Sequence, residues 1–226
     1  MTFVAEGRVE LHSPIRRWLP EVAASRVLRH PGAHLDDSVP ADRPVTIEDL
    51  LTLRGGLGFT SDFGSPLVDA LVETMQEGPS PRTLDRETFL SAAGAVPLAH
   101  QPGRGWTYNT GSTILGLLLE RVAEKPLDHL MSDRIFGPLH MHDAQWWVPE
   151  GLQPRFTSRY RTTGNLEQPL ELIDPPSGAH AHPPSFPDGA SGLIGTADDW
   201  LKFGTMLIGH GTFEGRELLP QHWRRP

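Results

Sequence analysis

Apolar residues recur along the chain with a helical period in a series of short, separated stretches, and almost nowhere with the strict alternation of a half-buried strand. Met1, Val4 and Ala5 share one helical face and Gly7 follows as a stop, so residues 1–5 read as the last turns of a helix. Ser13-Pro14 supplies an N-cap and a first-turn proline for a short helix carrying Ile15, Trp18 and Leu19. Thr46 with Asp49 resembles a capping box, with Asp in the usual Glu/Gln place. It opens a helix containing Ile47, Leu50 and Leu51 that stops at Gly55-Gly56.

Residues 65–77 predict an amphipathic helix with Leu67, Ala70, Leu71, Thr74 and Met75 on one face, and residues 85–94 a second with Phe89, Leu90 and Ala93 inward. Residues 112–123 are the most apolar segment. Ile114, Leu115, Leu117, Leu118, Leu119 and Val122 leave it little polar face, which places it in the middle of a helical core. A helix over 127–136 ends at Gly137-Pro138, and Thr196 caps another over 197–208, with Asp199 at the capping-box position. Between these the periodicity fades. Residues 20–44 read as loop, 156–161 and 166 onward as a β-hairpin around Gly164-Asn165, and 174–188 as a Pro/His-rich loop. There is no internal repeat and no linker, so residues 1–226 read as a single unit.

Composition narrows the function classes. Hydrophobic residues at 38% and charged ones at 21% fit a packed core, and 22 Pro with 23 Gly imply long irregular connections. The net charge is -8 and the basic runs are only Arg16-Arg17 and Arg224-Arg225, which excludes a nucleic-acid surface. The absence of cysteine removes disulfides, a thiolate nucleophile and Cys-based zinc sites. The longest apolar run, residues 114–119, falls far short of a membrane span, and Met1-Thr2-Phe3-Val4-Ala5 is not a signal peptide. The chain as given therefore reads as cytoplasmic with no membrane partner, while a full-length form remains compatible with export.

Five blocks carry a resemblance. Residues 1–22 resemble "L-v-e-e-G-k-l-x-L-d-d-p-v-x-x-y-l-P-E". Val45 to Leu57 resembles "i-T-i-r-d-L-L-t-H-t-S-G-L", with Leu53 in place of His and Gly55 in place of Ser. Pro102 to Glu120 is similar to "P-G-x-x-W-x-Y-n-t-g-x-x-x-L-G-x-i-i-E". Pro138-Leu139-His140-Met141-His142-Asp143 is similar to "P-L-G-M-x-D", and residues 191–203 to "G-G-L-x-s-T-a-x-D-x-x-x-F". In this order the blocks resemble the serine β-lactamase-like superfamily, in its branch of class C β-lactamases, D,D-peptidases and related esterases.

That resemblance implies an α+β fold of the β-lactamase/transpeptidase type and acyl transfer through a covalent acyl-enzyme, with a small-molecule ester or amide as partner and neither cofactor nor metal. It carries the tyrosine of the family's Y-x-N motif onto Tyr108 as catalytic residue, and substrate binding onto Asn109 and Thr110. Thr110 stands where the family has Asn, and its hydroxyl lacks the paired donor and acceptor of a carboxamide. Without the resemblance, Tyr108 reads as a core residue beside the apolar helix.

The family's Ser-x-x-Lys is not in these residues. The two lysines are Lys125 and Lys202, and the positions three before them are Val122 and Asp199. Neither lysine opens K-T-G, and His210-Gly211-Thr212 is not H-x-G. The resemblance places the first motif before residue 1 and the third after residue 226. It therefore predicts a partial domain, mostly the helical lobe with short hairpins, lacking most of the central antiparallel sheet and exposing apolar surface.

Rival chemistries are weaker. Ser191 in Gly189-Ala190-Ser191-Gly192 has Leu193 where a nucleophile elbow needs Gly, and reads as a turn entering a helix. His140/His142 and His180/His182 have metal-like spacing but lie in loops with no third ligand. Trp146-Trp147 reads as one buried and one partly exposed ring. Two classes remain: a β-lactamase-related serine hydrolase, inactive as these residues stand, or a non-catalytic binding or assembly module of the same fold.

Overall fold

The computed structural model describes residues 1–22, 26–78, 81–162, 164 and 168–219. Its helices are α1 (Thr2–Ala5), α2 (Ile47–Leu51), α3 (Pro66–Met75), α4 (Arg86–Ala95), α5 (Thr110–Ala123), α6 (Leu127–Met131) and α7 (Ala197–Ile208). The strands β1 (Arg26–Leu28) and β2 (Ser38–Pro40), β3 (Arg159–Arg161) and β4 (Glu171–Asp174), and β5 (Thr212–Phe213) and β6 (Arg216–Glu217) pair antiparallel, and β1 also meets Leu98 through a parallel bridge at Val27. The architecture is α+β, helix-rich with small antiparallel sheets.

Capping chemistry starts most of the helices. The Thr46 hydroxyl accepts from the Asp49 N–H while the Asp49 carboxylate accepts from the Thr46 N–H, the reciprocal box expected for α2. Ser65 caps α3 and Asp85 caps α4 through the N–H three residues on. Thr196 does the same for α7, but Asp199 turns its carboxylate to the Asp143 N–H at 2.9 Å. Half a box here becomes a tertiary tie.

Most of the buried apolar side chains form one continuous cluster. Leu19, Leu67, Leu71, Met75, Phe89, Leu90, Ile114, Leu118, Leu139 and Met206 are its most enclosed members. α5 runs through it, packed against α2 and α6. α4 lies on the 3₁₀ turn Pro20–Val22, where Gly94 lets the two backbones meet.

Several sequence expectations are corrected. The segment after Ser13 is only a 3₁₀ turn, Ile15–Arg17, whose N-cap is Pro14 itself with no side-chain cap. Thr74, expected on the inner face, is exposed, and its hydroxyl bonds back to the Ala70 carbonyl. α3 ends at Met75, because Gln76 takes a left-handed conformation (φ 51°) that sends Glu77 out of the helix and into the interior. The helix expected to Phe136 continues past Met131 as a π turn, Ser132–Phe136. Of the hairpin expected over 156–161 and 166 onward, Arg159–Arg161 and Glu171–Asp174 pair. Asn165 of the expected turn, like Arg224-Arg225, lies outside the described residues. α7 carries exposed Trp200, Leu201, Leu207 and Ile208, apolar surface of the kind expected from the sequence.

Gly94 gives a sharp test of the α4 packing. A Cβ there would stand 2.0 Å from the Glu21 carbonyl oxygen, whereas one at Gly204 in α7 meets nothing within 4 Å. Helix propensity alone favours alanine over glycine by up to ~1 kcal/mol. Backbone overlap reverses that sign at Gly94, so Gly94→Ala is expected to destabilise by ~1–3 kcal/mol. Gly204→Ala is expected to be neutral or stabilising. Urea midpoints of the two variants check both signs.

Candidate functional site

Tyr108 lies in the loop entering α5. Its N–H donates to the Phe59 carbonyl at 2.8 Å, and the Phe59 N–H donates back to the Tyr108 carbonyl at 2.9 Å. Gly58 (φ 141°) makes this approach possible, since a Cβ there would stand 2.4 Å from the Tyr108 oxygen. With its backbone held on that side, the ring projects outward, 57% exposed, beside Trp106 at a centroid separation of 6.0 Å. Tyr108 is therefore not a core residue.

Asn109 and Thr110 are engaged differently. Asn109 has φ 77° and ψ -78°, and the Thr110 N–H donates to the Tyr108 carbonyl at 3.2 Å, so residues 108–110 form a γ-turn of the rare positive-φ kind. Such a conformation costs of order 1–3 kcal/mol and persists only where surrounding contacts over-determine it. The contacts come from Glu77. Its carboxylate accepts from Asn109 Nδ2 at 2.5 Å and from the Thr110 hydroxyl at 2.8 Å. Thr110 is wholly buried and its hydroxyl is spent on this bond; Asn109 is half-buried.

Glu77, with a side-chain exposure of 0%, is bridged at 2.7 Å by Arg82, itself 6% exposed. Arg82 donates from Nε to the Met75 carbonyl at 3.1 Å and from its other terminal nitrogen to Asp188. Asp188 in turn accepts from the Thr113 hydroxyl (2.7 Å), the Ala190 N–H (2.9 Å) and the Ser191 hydroxyl (2.9 Å). One guanidinium thus joins the Tyr108 turn to the 188–191 turn. Sequence reasoning missed Glu77, Arg82 and Asp188, the first because helical periodicity carried α3 through it.

Arg82, Asp188 and Ser191 also line a cavity of about 380 Å³, whose other walls include Trp146, Phe156 and Phe186. His180 lies on the same cavity, with Nδ1 2.8 Å from Asp174. Burial pushes the Asp174 carboxyl up, but the His180 hydrogen bond and the Ala179 N–H hold it below the usual carboxylate range. Ser191 is exposed in the turn ahead of α7, its hydroxyl donated to Asp188 rather than to a base. The His140 and His142 rings are 6.0 Å apart at their centroids, and His182 is exposed. Trp146 is buried and Trp147 half-buried.

Burial raises the Glu77 carboxyl above the usual carboxylate range and the negative charge of Asp188 adds to this, against the pull of Arg82 and of the Thr110 and Asn109 hydrogen bonds. Between the ordinary value and the raised one, the folded chain binds more protons at this site than the unfolded chain does. Glu77's contribution to stability therefore falls as pH rises through that window. Urea midpoints of the natural chain and of Glu77→Gln, compared from about pH 4 to about pH 8, should separate in favour of the natural chain as pH falls. A pH-independent difference would contradict the raised value.

Residues 1–226 match the sequence profile of the Beta-lactamase family. Protein Rv1367c of Mycobacterium tuberculosis is 36% identical over 225 residues, covering 99% of this chain and 54% of that protein. Esterase EstB of Burkholderia gladioli is 30% identical over 221 residues, covering 89% of this chain and 51% of that one. The chain thus spans about half the length of these curated relatives. Among solved structures, EstCE1, described as a hydrolase with promiscuous acyltransferase activity, shares the fold with a TM-score of 0.74. The match covers 98% of this chain and 57% of that one at 21% identity. With a profile match over the whole length and a relative 36% identical over 99% of its residues, the chain belongs to the beta-lactamase family.

Proposed function

We propose that Tyr108 stands on one wall of the cleft of a serine-type acyl-transfer enzyme that acts on small esters or amides. A serine hydroxyl is a weak nucleophile until a neighbouring base takes its proton, and a positioned phenol serves that path as acid or base. The observation that carries the reading is that Tyr108 has a fixed backbone and a free ring: hydrogen bonds hold the main chain on both sides while 57% of the residue faces solvent. The half-buried Asn109 is assigned to the substrate side of the turn. Thr110, whose hydroxyl is occupied by Glu77, serves by holding the turn. The largely apolar cavity bordered by Trp146, Phe156 and Phe186 suits an uncharged acyl or aromatic group.

The 226 residues contain no Ser-x-x-Lys, so the chemistry requires that couple from another segment. The same fact favours a second reading, a non-catalytic binding module that keeps the cleft wall alone.

Two experiments separate these. Incubated with a fluorescent penicillin or a p-nitrophenyl ester, the chain is expected to gain no stoichiometric acyl adduct by intact mass; an adduct would show a nucleophile outside the proposed scheme. In a version carrying a Ser-x-x-Lys helix ahead of residue 1, Tyr108→Phe is expected to lower kcat/KM by ~10²–10⁴-fold. An unchanged kcat/KM removes Tyr108 from the chemistry, and reversible binding without turnover supports the binding module.

A further inference from the structure

The strained turn at Asn109 has one feature that the Tyr108 backbone contacts do not explain. Phe59 fixes Tyr108 from the strand-like side, but it does not reach the two residues that follow. Their main chain is tied locally, by the Thr110 N–H to Tyr108 and by the Ser112 N–H to Asn109, but both of their side-chain donors go to a single group. The Glu77 carboxylate takes a donor from the middle residue of the turn and another from its last residue, at 2.5 Å and 2.8 Å. Neither donor is part of the helical ladder of α5, and the Asn109 side chain makes no capping bond to that helix.

A carboxylate is a costly way to fill this space. It is wholly enclosed, and the guanidinium that neutralises it also serves Asp188. Apolar packing of similar volume is often at least as stable as such a buried ion set. What the charge supplies, and a methylene group would not, is an acceptor strong enough to hold two side chains of a positive-φ turn. The groups facing it are Arg82 from the segment after α3, Asp188 from the loop before α7, and the neutral Asn109 and Thr110 at the start of α5.

We propose that Glu77 is the positioning residue of Tyr108, a buried carboxylate that holds the γ-turn over residues 108–110 and thereby aims the exposed phenol. The assignment rests on the reading of Tyr108 as the proton-handling residue. Glu77 acts through Asn109 and Thr110 and does not itself touch substrate. Through Arg82 it also holds the Tyr108 turn in register with the Asp188 turn on the cavity's edge.

The sequence makes the test clean. Tyr108 and Tyr160 are the two tyrosines, and Asn109 and Asn165 the two asparagines. A chain labelled with ¹³C in tyrosine rings and ¹⁵N in asparagine therefore gives two signals of each kind, assigned with Tyr160→Phe and Asn165→Gln. In Glu77→Ala the Asn109 amide is expected to lose the scalar coupling of a positive φ and the Tyr108 ring signal to move, while Tyr160, Asn165 and the helical circular dichroism stay. Glu77→Gln keeps one accepting oxygen but sets an N–H₂ against Arg82, and is expected to show a smaller displacement of the same two signals. A folded Glu77→Ala chain with natural Tyr108 and Asn109 signals overturns the proposal.

The unsubstituted chain gives a check that needs no variant to fold. Burial holds the Glu77 carboxyl above the usual carboxylate range, so on acidification the Tyr108 and Asn109 signals should move together as that carboxyl gains its proton. One of the two signals moving without the other overturns the proposal. None of these measurements uses substrate. They stand apart from the kinetic test of Tyr108 itself, so either idea can fail without the other.

Discussion

The guanidinium of Arg82 is the point on which this arrangement turns. Removing a charged group from water costs several kcal/mol per ion even after relaxation, and only complete hydrogen bonding offsets it. Each nitrogen of Arg82 has an acceptor: Nε donates to the end of α3, and the two terminal nitrogens to Glu77 and Asp188. The carboxylates' oxygens are met in turn by Asn109, Thr110, Thr113, Ala190 and Ser191. The cation also lies 4.9 Å from the centroid of the Phe89 ring, fully buried on α4, so the polar cluster is seated on the hydrophobic core. Isolated backbone bridges such as Phe59 to Tyr108 and Gln145 to Ile194 tie some distant loops together, and the Arg82 side chain joins two more.

Tyr108 inherits its geometry from this arrangement. One side of its loop is held by main-chain bonds to Phe59, made possible by the absent side chain of Gly58. The other side is held by carboxylate bonds from Glu77. On the proposed reading of Tyr108, the fixed backbone sets where the phenol stands before substrate arrives.

The helices were legible where local chemistry decides them. Thr46, Ser65, Asp85 and Thr196 each stand ahead of an apolar period, and each caps a helix through the N–H three residues on. The outward Tyr108 was legible only through its resemblance to a family motif, since a tyrosine beside an apolar helix otherwise reads as core. The charges beneath it were not legible. Gln76 leaves the helix through a left-handed conformation that its residue type does not announce, and Glu77 at the end of an amphipathic period looks like a solvated face. Asp188 sits in a Pro/His-rich loop with no period at all. Its signal lies in the small residues that follow: Gly189 packs on Gly116 of α5 so closely that a Cβ on either would stand 3.2 Å from the other's Cα, and that close approach brings the loop to Thr113.

Sharing one cation between two acids has an evolutionary corollary. Substitutions at positions 77, 82 and 188 cannot be independent, because the loss of any one changes what the others neutralise. A lineage that replaces Glu77 with a neutral residue leaves Arg82 and Asp188 as a balanced pair, and the first acid then becomes dispensable while the second becomes obligatory. One that replaces Arg82 leaves two like charges facing each other in the interior. Covariation among these three sites, across chains otherwise free to drift, is the historical trace that such an arrangement leaves.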